Sequence, residues 1–321
     1  MKNKILIVSG DPESINSEII FKAWKKIPNS LRRKIYLISN FNLLDSQLKK
    51  LGYKIKLLKI NNFNSNNISD KLKIINVNLS FRDPFKFNTK ILKKYISQSL
   101  NLAHEMAIKD KKIAGIINCP IRKDLLGKKG LGVTEYLASK CFVNDNSEVM
   151  LIKANNLSVS PLTTHVKLRD VAKIINKKLI LTKIKSIKYN FKKIFKKKPK
   201  IAILGLNPHN SELRKNSDES KKIIPAIKLL KKSNIKVYGP YVADTIFIND
   251  YKNFDVIVGM YHDQVLAPFK ALYKFNAINV TLGLKYLRVS PDHGVAKNLI
   301  GKNKAHATSL IESIKFINSL S

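Results

Sequence analysis

The sequence predicts an α/β protein with a largely parallel sheet covered by helices. Short apolar runs alternate with longer amphipathic patterns along almost the whole chain, and this alternation is typical of parallel sheets. The chain has 321 residues and is 44% hydrophobic, which suffices for two domains or one large α/β unit with a substantial core. No internal repeat and no linker rich in Pro, Gly or Ser marks a domain boundary.

Nine apolar runs are candidate strands. They are KILIVSG (4–10), KIYLISN (34–40), YKIKLLK (53–59), IAGIIN (113–118), EVMLIKA (148–154), SVSPLTT (158–164), KIAILGL (200–206), DVIVGM (255–260) and AINVTLG (277–283). Helical spacing of apolar residues predicts helices between them. These cover 88–111, 168–177, 179–197, 217–232 and the C-terminal segment ATSLIESIKFINSL.

The net charge of +38 raises nucleic acid as a partner. Only seven of the 60 basic residues are arginine, whereas readers of nucleic acid favour the planar fork of arginine. The lysines are also spread along the chain, and the dense stretch 185–200 has the spacing of an amphipathic helix with a lysine-rich solvent face. The composition therefore argues against specific nucleic-acid binding and favours attraction to anionic small molecules.

Compartment signals point to a cytoplasmic protein. No apolar run approaches the roughly 18 residues that a membrane helix needs, and the apolar segment before Gly10 is too short for a secretory signal. Cys119 and Cys141 form neither a disulfide framework nor a CxxC pair. We expect a reducing cytoplasm.

Three histidines share one context, just past the C-terminal end of a predicted strand. They are His165 in SVSPLTTH, His209 in IAILGLNPH and His262 in DVIVGMYH. This edge of an open α/β sheet is where ligands bind. A lone histidine there is more often a capping or surface residue, but three repeats of the context favour a divalent metal such as Zn²⁺ or Co²⁺.

Other strand ends are polar as well. Their side chains are Arg122, Lys123, Asp244, Arg288, Asp292 and His293. Lys270, Asn279 and Arg288 could together bind a phosphate or carboxylate through charge-assisted hydrogen bonds, although each taken singly is typical of a solvated surface. A dinucleotide fingerprint is missing, because SGDPESIN has one glycine where GxGxxG has three. The residues alone predict a metal-assisted α/β enzyme that acts on a small anion.

Six blocks of the sequence resemble, in order, the signature blocks of the 4-hydroxythreonine-4-phosphate dehydrogenase family of vitamin B6 biosynthesis. They are GDPESINSE, PLTTHVKLRDV, GLNPH, GPYVADTIF, MYHDQVLAPFKAL and INVTLGLKYLRVSPDHGVA. The resemblance implies NAD-dependent oxidation of a secondary alcohol, loss of CO2, and 3-amino-2-oxopropyl phosphate as the product. It also implies a homodimer whose two-domain subunit is like those of the isopropylmalate and isocitrate dehydrogenases. We expect a discontinuous first domain (1–120 with 265–321) and a second domain (121–264).

The resemblance also implies roles for individual residues. The metal ligands, for Zn, Mg or Co, would be His165, His209 and His262. The substrate contacts would be Thr134, Lys270, Asn279 and Arg288. The loop DHGVAKNLIG would hold the adenosine end of the cofactor with His293, Gly294 and Asn298. From the chemistry of the reaction, and not from the resemblance, the catalytic candidates are Asp244, Asp263 and Lys270, with the two aspartates either transferring protons or orienting the histidines. Because the family builds its site at a dimer interface, the ligands need not come from one subunit.

Some positions depart from the family pattern. The family's GHTE is GVTE here, so Val133 replaces a histidine that contacts substrate, and glycines are lost from the loops DPESINSE and NSELRKNSDES. Asn298 stands where related loops often carry an acid, with Lys297 beside it, which leaves NADP open beside NAD. Two alternatives follow: a sister enzyme that oxidises 4-phospho-D-threonate or 4-phospho-D-erythronate, and a basic, non-catalytic protein that binds anions or nucleic acid.

Overall fold

A computed structural model of the chain describes residues 3–61, 63, 68–126, 132–143 and 147–321. The strands are β1 (Lys4–Val8), β2 (Ile35–Ser39), β3 (Lys56–Ile60), β4 (Lys71–Asn76), β5 (Ile113–Asn118), β6 (Val149–Ala154), β7 (Leu157–Thr163), β8 (Ile201–Leu204), β9 (Val237–Tyr241), β10 (Val256–Tyr261), β11 (Ile278–Leu282) and β12 (Arg288–Pro291). The helices are α1 (Asn16–Lys26), α2 (Asn29–Arg32), α3 (Phe41–Lys50), α4 (Thr89–Lys109), α5 (Val133–Lys140), α6 (Leu168–Ile174), α7 (Lys177–Phe195), α8 (Ile224–Lys232), α9 (Ala243–Ile246), α10 (His262–Tyr273) and α11 (Thr308–Ser319).

The predicted α/β class, with mostly parallel strands flanked by helices, is confirmed. All nine candidate strands form strands, with shifts of a few residues at their ends. None of the helices in the described part of the chain is long and apolar enough to cross a membrane.

The first compact unit comprises Met1–Phe142 and Leu284–Ser321. Its described strands lie in the order β3-β4-β2-β1-β5-β12 and pair in parallel. Leu92, Tyr95 and Ile96 on one face of α4 pack with Leu6 and Tyr36 of the central strands in an apolar cluster. These strands are apolar on both faces because helices cover both sides of a parallel sheet.

The second compact unit is Val143–Gly283. Its described strands lie in the order β11-β6-β7-β10-β8-β9, and β6 runs antiparallel to both of its neighbours. The pairs β7–β10, β10–β8 and β8–β9 are parallel. Val265, Leu266 and Phe269 of α10 pack into the apolar cluster of this unit. The carboxyl ends of β7, β8 and β10 therefore lie along one edge of the sheet.

The bounds of the two compact units differ from the domain bounds expected at 120 and 264. Both boundaries between the units lie further along the chain than expected, after Phe142 and after Gly283. The physical reason is packing: α5 contacts α4, which keeps 133–140 with the first unit, and α10 contacts β7 and β10, which keeps 262–273 with the second. The division into domains stays a prediction of the sequence.

A lysine is buried inside the first unit. Lys73 of β4 has no exposed surface. Its Nζ donates a hydrogen bond to the carbonyl oxygen of Arg33 and lies 4.2 Å from the centre of the Tyr36 ring. Burial lowers the pKa of the Lys73 amine to about 8, since a low-dielectric interior disfavours the charged form.

We expect Lys73→Met to stabilise the protein at neutral pH by roughly 1–3 kcal/mol, because the folded state no longer buries a charge. The unfolded chain binds the lysine proton more tightly than the folded protein does, so this penalty is fully present below pH about 8. It fades as the pH rises towards the ordinary value of 10.5. Urea unfolding across that range checks this: the advantage of the variant should shrink with rising pH. An advantage that does not change with pH would contradict the assignment.

Candidate active site

His165 and His262 lie together at the carboxyl edge of the second unit. The adjacent parallel strands β7 and β10 are in register with Thr163 opposite Tyr261. His165 follows the end of β7 by two residues, and His262 is the first residue of α10 directly after β10. Their imidazole centroids are 5.9 Å apart with the rings inclined by 36°. Strand register therefore brings two of the three predicted histidine ligands together.

Asp263 orients the ring of His262. The distance from His262 Nδ1 to Asp263 Oδ1 is 2.7 Å. A carboxylate at this distance favours the tautomer in which Nδ1 carries the proton and donates it, so the lone pair is on Nε2. The Asp263 side chain is 83% exposed, and solvent screens its charge. Nε2 of His262 is thus the ring atom that could bind a metal ion.

His209 lies in an unusual loop after β8. His209 to Leu213 all have positive φ, between 49° and 55°. Glu219, which is fully buried, accepts hydrogen bonds from the backbone N–H groups of Leu206 and Asn207 at 2.9 and 2.8 Å. Burial pushes the pKa of the Glu219 carboxyl upward, but hydrogen bonds from Asn207, from the N–H of Glu219 itself and from Leu206 outweigh it and hold that pKa below its ordinary value. The carboxylate is therefore ionised at neutral pH.

The described ranges contain no group of three His, Cys, Asp or Glu side chains that could hold a metal ion. The predicted third ligand, His209, does not join His165 and His262 in such a group. The donor chemistry of the pair still fits a divalent metal, because two imidazole rings are close and Nε2 of one is the nitrogen that Asp263 leaves available.

The other predicted residues of the second unit are less enclosed. Asp244 in the first turn of α9 is exposed, and so is Lys270, which lies about two turns along α10 from His262. Asn279 of β11 is half-buried. Its Oδ1 is inaccessible to solvent and has no hydrogen-bond partner among the described residues. Such an acceptor is expected to take a hydrogen bond from water or a ligand.

In the first unit, Arg288 and Thr134 are in contact. Arg288, the first residue of β12, is only 3% exposed. Its Nε donates to Asn118 Oδ1 at 2.6 Å, and its Nη1 donates to Thr134 Oγ1 at 3.2 Å. Burial lowers the pKa of the guanidinium to about 10, so it is charged at neutral pH. Two predicted substrate residues are thus together, and Asn118 was missed although it ends the predicted strand IAGIIN.

Val133 precedes Thr134 at the start of α5. It is half-buried and packs against the apolar cluster of the first unit. The side chain that replaces the family's histidine is therefore part of a hydrophobic wall beside the Arg288–Thr134 pair.

The predicted cofactor loop is tied to the first loop of the chain. Val295 accepts a hydrogen bond from the backbone N–H of Ile15 at 3.2 Å, and Lys297 forms an ion pair with Glu13. Burial raises the pKa of Glu13, but Lys297, the N–H of Phe87 and the charge of Arg122 together hold that pKa below its ordinary value. Lys297 is thus paired with a carboxylate. The loop also contains His293, whose Nδ1 is 3.0 Å from the oxygen of Gly294, and the exposed Asn298.

Fold and site together define an α/β protein with a histidine pair at one sheet edge and a buried guanidinium suited to an anionic ligand. The sequence pattern of the family described as "Pyridoxal phosphate biosynthetic protein PdxA" matches residues 31–317. The chain belongs to the PdxA family.

Relatives and solved structures of this family resemble the chain over its whole length. Proteins named 4-hydroxythreonine-4-phosphate dehydrogenase from Sulfurihydrogenibium sp. (strain YO3AOP1) and Aquifex aeolicus are 38% and 36% identical. The alignments cover 97% and 100% of this chain and 96% and 99% of those relatives. The crystal structure of 4-hydroxythreonine-4-phosphate dehydrogenase from Klebsiella pneumoniae is also similar, with a TM-score of 0.87 and 26% identity. The superposition covers 99% of this chain and 99% of that one. The resemblance stated from the sequence blocks is confirmed.

Proposed function

We propose that the chain oxidises 4-phosphohydroxy-L-threonine with NAD in pyridoxal phosphate biosynthesis. Its family and the names of its relatives support the enzyme class, an oxidoreductase acting on a CH–OH group. The secondary alcohol gives a hydride to NAD and a proton to solvent or a base. The resulting β-keto acid loses CO2, and protonation of the remaining carbon gives 3-amino-2-oxopropyl phosphate. The observation that carries the proposal is the buried contact between Arg288 and Thr134. It holds a positive charge next to a hydroxyl group, and both could bind an anionic group of the substrate.

Metal assistance is part of the proposal. His165 and His262 would hold Zn²⁺, Mg²⁺ or Co²⁺, with His209 as the third ligand. Such an ion is a Lewis acid that lowers the pKa of a hydroxyl and polarises a ketone. Asp263 would keep His262 in the tautomer that presents Nε2. Asp244 and Asp263 stay the candidates for proton transfer.

The substrate phosphate and amino acid moiety would be bound by the predicted contacts. Arg288 and Lys270 would supply positive charge, and Thr134 a hydroxyl. The Oδ1 of Asn279, which has no hydrogen-bond partner within the described ranges, would accept from a hydroxyl or ammonium group of the substrate. Holding remote charged groups positions the reacting carbon, which lowers the entropic part of the barrier.

A homodimer completes the proposal, since the resemblance implies a site at a subunit interface. Val166 and Leu168, directly after His165, are apolar and 36% and 69% exposed. An apolar surface beside a ligand is what a second subunit would cover. The two free thiols, Cys119 and Cys141, are buried, and we propose a reducing cytoplasm as the compartment.

Substrate choice is tested by comparing initial rates of NADH formation. We expect kcat/KM for 4-phosphohydroxy-L-threonine to exceed that for 4-phospho-D-threonate and 4-phospho-D-erythronate by about tenfold or more, because a hydrogen bond from a charged ammonium group is worth about 1.5–3 kcal/mol. Faster turnover of either sugar acid would favour the sister activity, which the apolar packing of Val133 motivates. No NADH from any of the three would favour the basic, non-catalytic protein.

Cofactor choice is tested through the Glu13–Lys297 pair. We expect NAD to be preferred, because Glu13 neutralises the lysine that could otherwise bind the extra phosphate of NADP. Glu13→Gln should tighten NADP binding roughly fivefold, a charge effect of about 1 kcal/mol at a partly exposed site. Calorimetric titration with both nucleotides measures this. Adding Lys297→Ala should remove the gain, and a gain that survives it would show that Lys297 does not govern the choice.

A further inference from the structure

The loop that carries His209 has a backbone that needs outside support. Five successive residues, His209 to Leu213, lie in the left-handed region. A residue with a Cβ is unfavourable there, because its Cβ approaches the neighbouring carbonyl oxygen. Such backbone persists only where surrounding contacts over-determine it, and it is concentrated at functional sites.

Glu219 supplies the most direct support. Its carboxylate is fully buried, and both oxygens face the segment between β8 and His209. Oε1 accepts from the N–H groups of Leu206 and Asn207, and also from Asn207 Nδ2 at 3.2 Å. Burying a charge is unfavourable unless hydrogen bonds compensate it. The donors from Leu206 and Asn207 belong to the two residues that precede Pro208 and His209.

Two amides hold the same loop from other sides. Gln264 of α10 donates to the carbonyl oxygen of Gly205 at 2.8 Å and accepts from the N–H of Met260 at 2.7 Å. It therefore joins the start of the loop to the end of β10. Asn210 donates to the carbonyl oxygen of Pro240 at 3.0 Å. A Cβ at Gly205 would lie 1.9 Å from Asn210 Oδ1, so only glycine allows this approach.

We propose that Glu219 is a positioning residue for the metal ligand His209, with Gln264 as its second support. The inference rests on the proposed function, in which His209 binds the metal. Glu219 fixes two consecutive peptide groups, and Gln264 fixes the residue before them. The direction in which the chain enters the left-handed turn, and with it the placement of His209, follows from these contacts.

The test measures metal affinity and thermal unfolding in parallel. The homogeneous full-length protein, stripped of metal, is titrated with Co²⁺ by calorimetry, and the absorption spectrum of bound Co²⁺ is recorded. We expect Glu219→Ala to weaken Co²⁺ binding about 10–100-fold, the range seen when groups that support metal ligands are removed. Glu219→Gln keeps an acceptor oxygen for the two N–H groups and should restore most of the affinity and the spectrum.

Glu212→Ala is the matched control. Glu212 lies in the same loop, but its side chain is 65% exposed and pairs with Arg214. Its removal should leave Co²⁺ affinity unchanged. Should Glu219→Ala fail to fold, Gln264→Ala and Asn207→Ala each remove one support at lower structural cost, and each should weaken Co²⁺ binding.

The outcomes separate the two claims. A wild-type protein that binds no Co²⁺ would overturn the proposed metal site and this inference with it. Wild-type binding together with unchanged affinity in a folded Glu219→Ala protein would overturn the inference alone. Unchanged affinity in both Gln264→Ala and Asn207→Ala, where Glu219→Ala does not fold, would have the same effect.

Discussion

Replacing His262 with alanine should abolish metal binding and nearly all turnover. The ring of His262 lies 5.9 Å from that of His165 and presents Nε2, because Nδ1 is engaged by Asp263. Losing a direct ligand should cost well over the roughly 10–100-fold that removing a supporting group costs. Raising the NAD concentration should not restore activity, since the cofactor does not replace an imidazole ligand.

Elemental analysis of the purified variant and steady-state kinetics measure both effects. His306→Ala is the matched control, because His306 is exposed and is not one of the predicted site residues. The control should keep full metal content and normal turnover. A His262→Ala protein with full metal content and near-normal turnover would make His262 a structural residue at a strand end.

Replacing Arg288 with lysine should raise KM for the phosphorylated substrate roughly 10–100-fold while the protein stays folded. A lysine has a single ammonium group and cannot make both the Asn118 and the Thr134 contacts of the guanidinium. Without those two contacts the cation would not be held in place, and under the proposed function it would lose a charge-assisted contact with the substrate worth about 1.5–3 kcal/mol. Because the lost interaction is with the substrate in both ground and transition states, kcat should change less than KM.

Steady-state kinetics measure KM and kcat of the variant, at a temperature where thermal unfolding shows that the protein is folded. Arg82→Lys is the control, since Arg82 is exposed. An unchanged KM in Arg288→Lys would mean that the guanidinium only supports the sheet. A fall in kcat with constant KM would assign it to the reacting centre instead.

The placement of His165 and His262 could be predicted from the sequence because strand ends carry local signals. Each follows an apolar run that ends abruptly, and parallel neighbours put their carboxyl ends at one edge. The sequence did not predict that β7 and β10 are neighbours in the sheet, because these two strands are almost a hundred residues apart along the chain. That His165, His209 and His262 bind one metal ion stays a prediction.

Other elements were missed for reasons that are also physical. β4 contains Lys73, and β12 begins with Arg288 and ends with proline, so neither is a plain apolar run. β9 contains Gly239 and Pro240, which usually indicate turns. Their strand structure depends on tertiary partners, such as the carbonyl of Arg33 for Lys73 and the amide of Asn118 for Arg288. The role of Glu219 was likewise invisible, because a carboxylate in a polar segment gives no sign of its burial.

We propose that this member of the family is a metal-assisted, NAD-dependent dehydrogenase of 4-phosphohydroxy-L-threonine. The most direct measurement is NADH formation by metal-stripped protein with that substrate, before and after a divalent metal is restored. We expect negligible NADH from the stripped protein and recovery with added Zn²⁺, Mg²⁺ or Co²⁺, in wild type but not in His262→Ala. NADH formation at the same rate with and without metal would contradict the proposal.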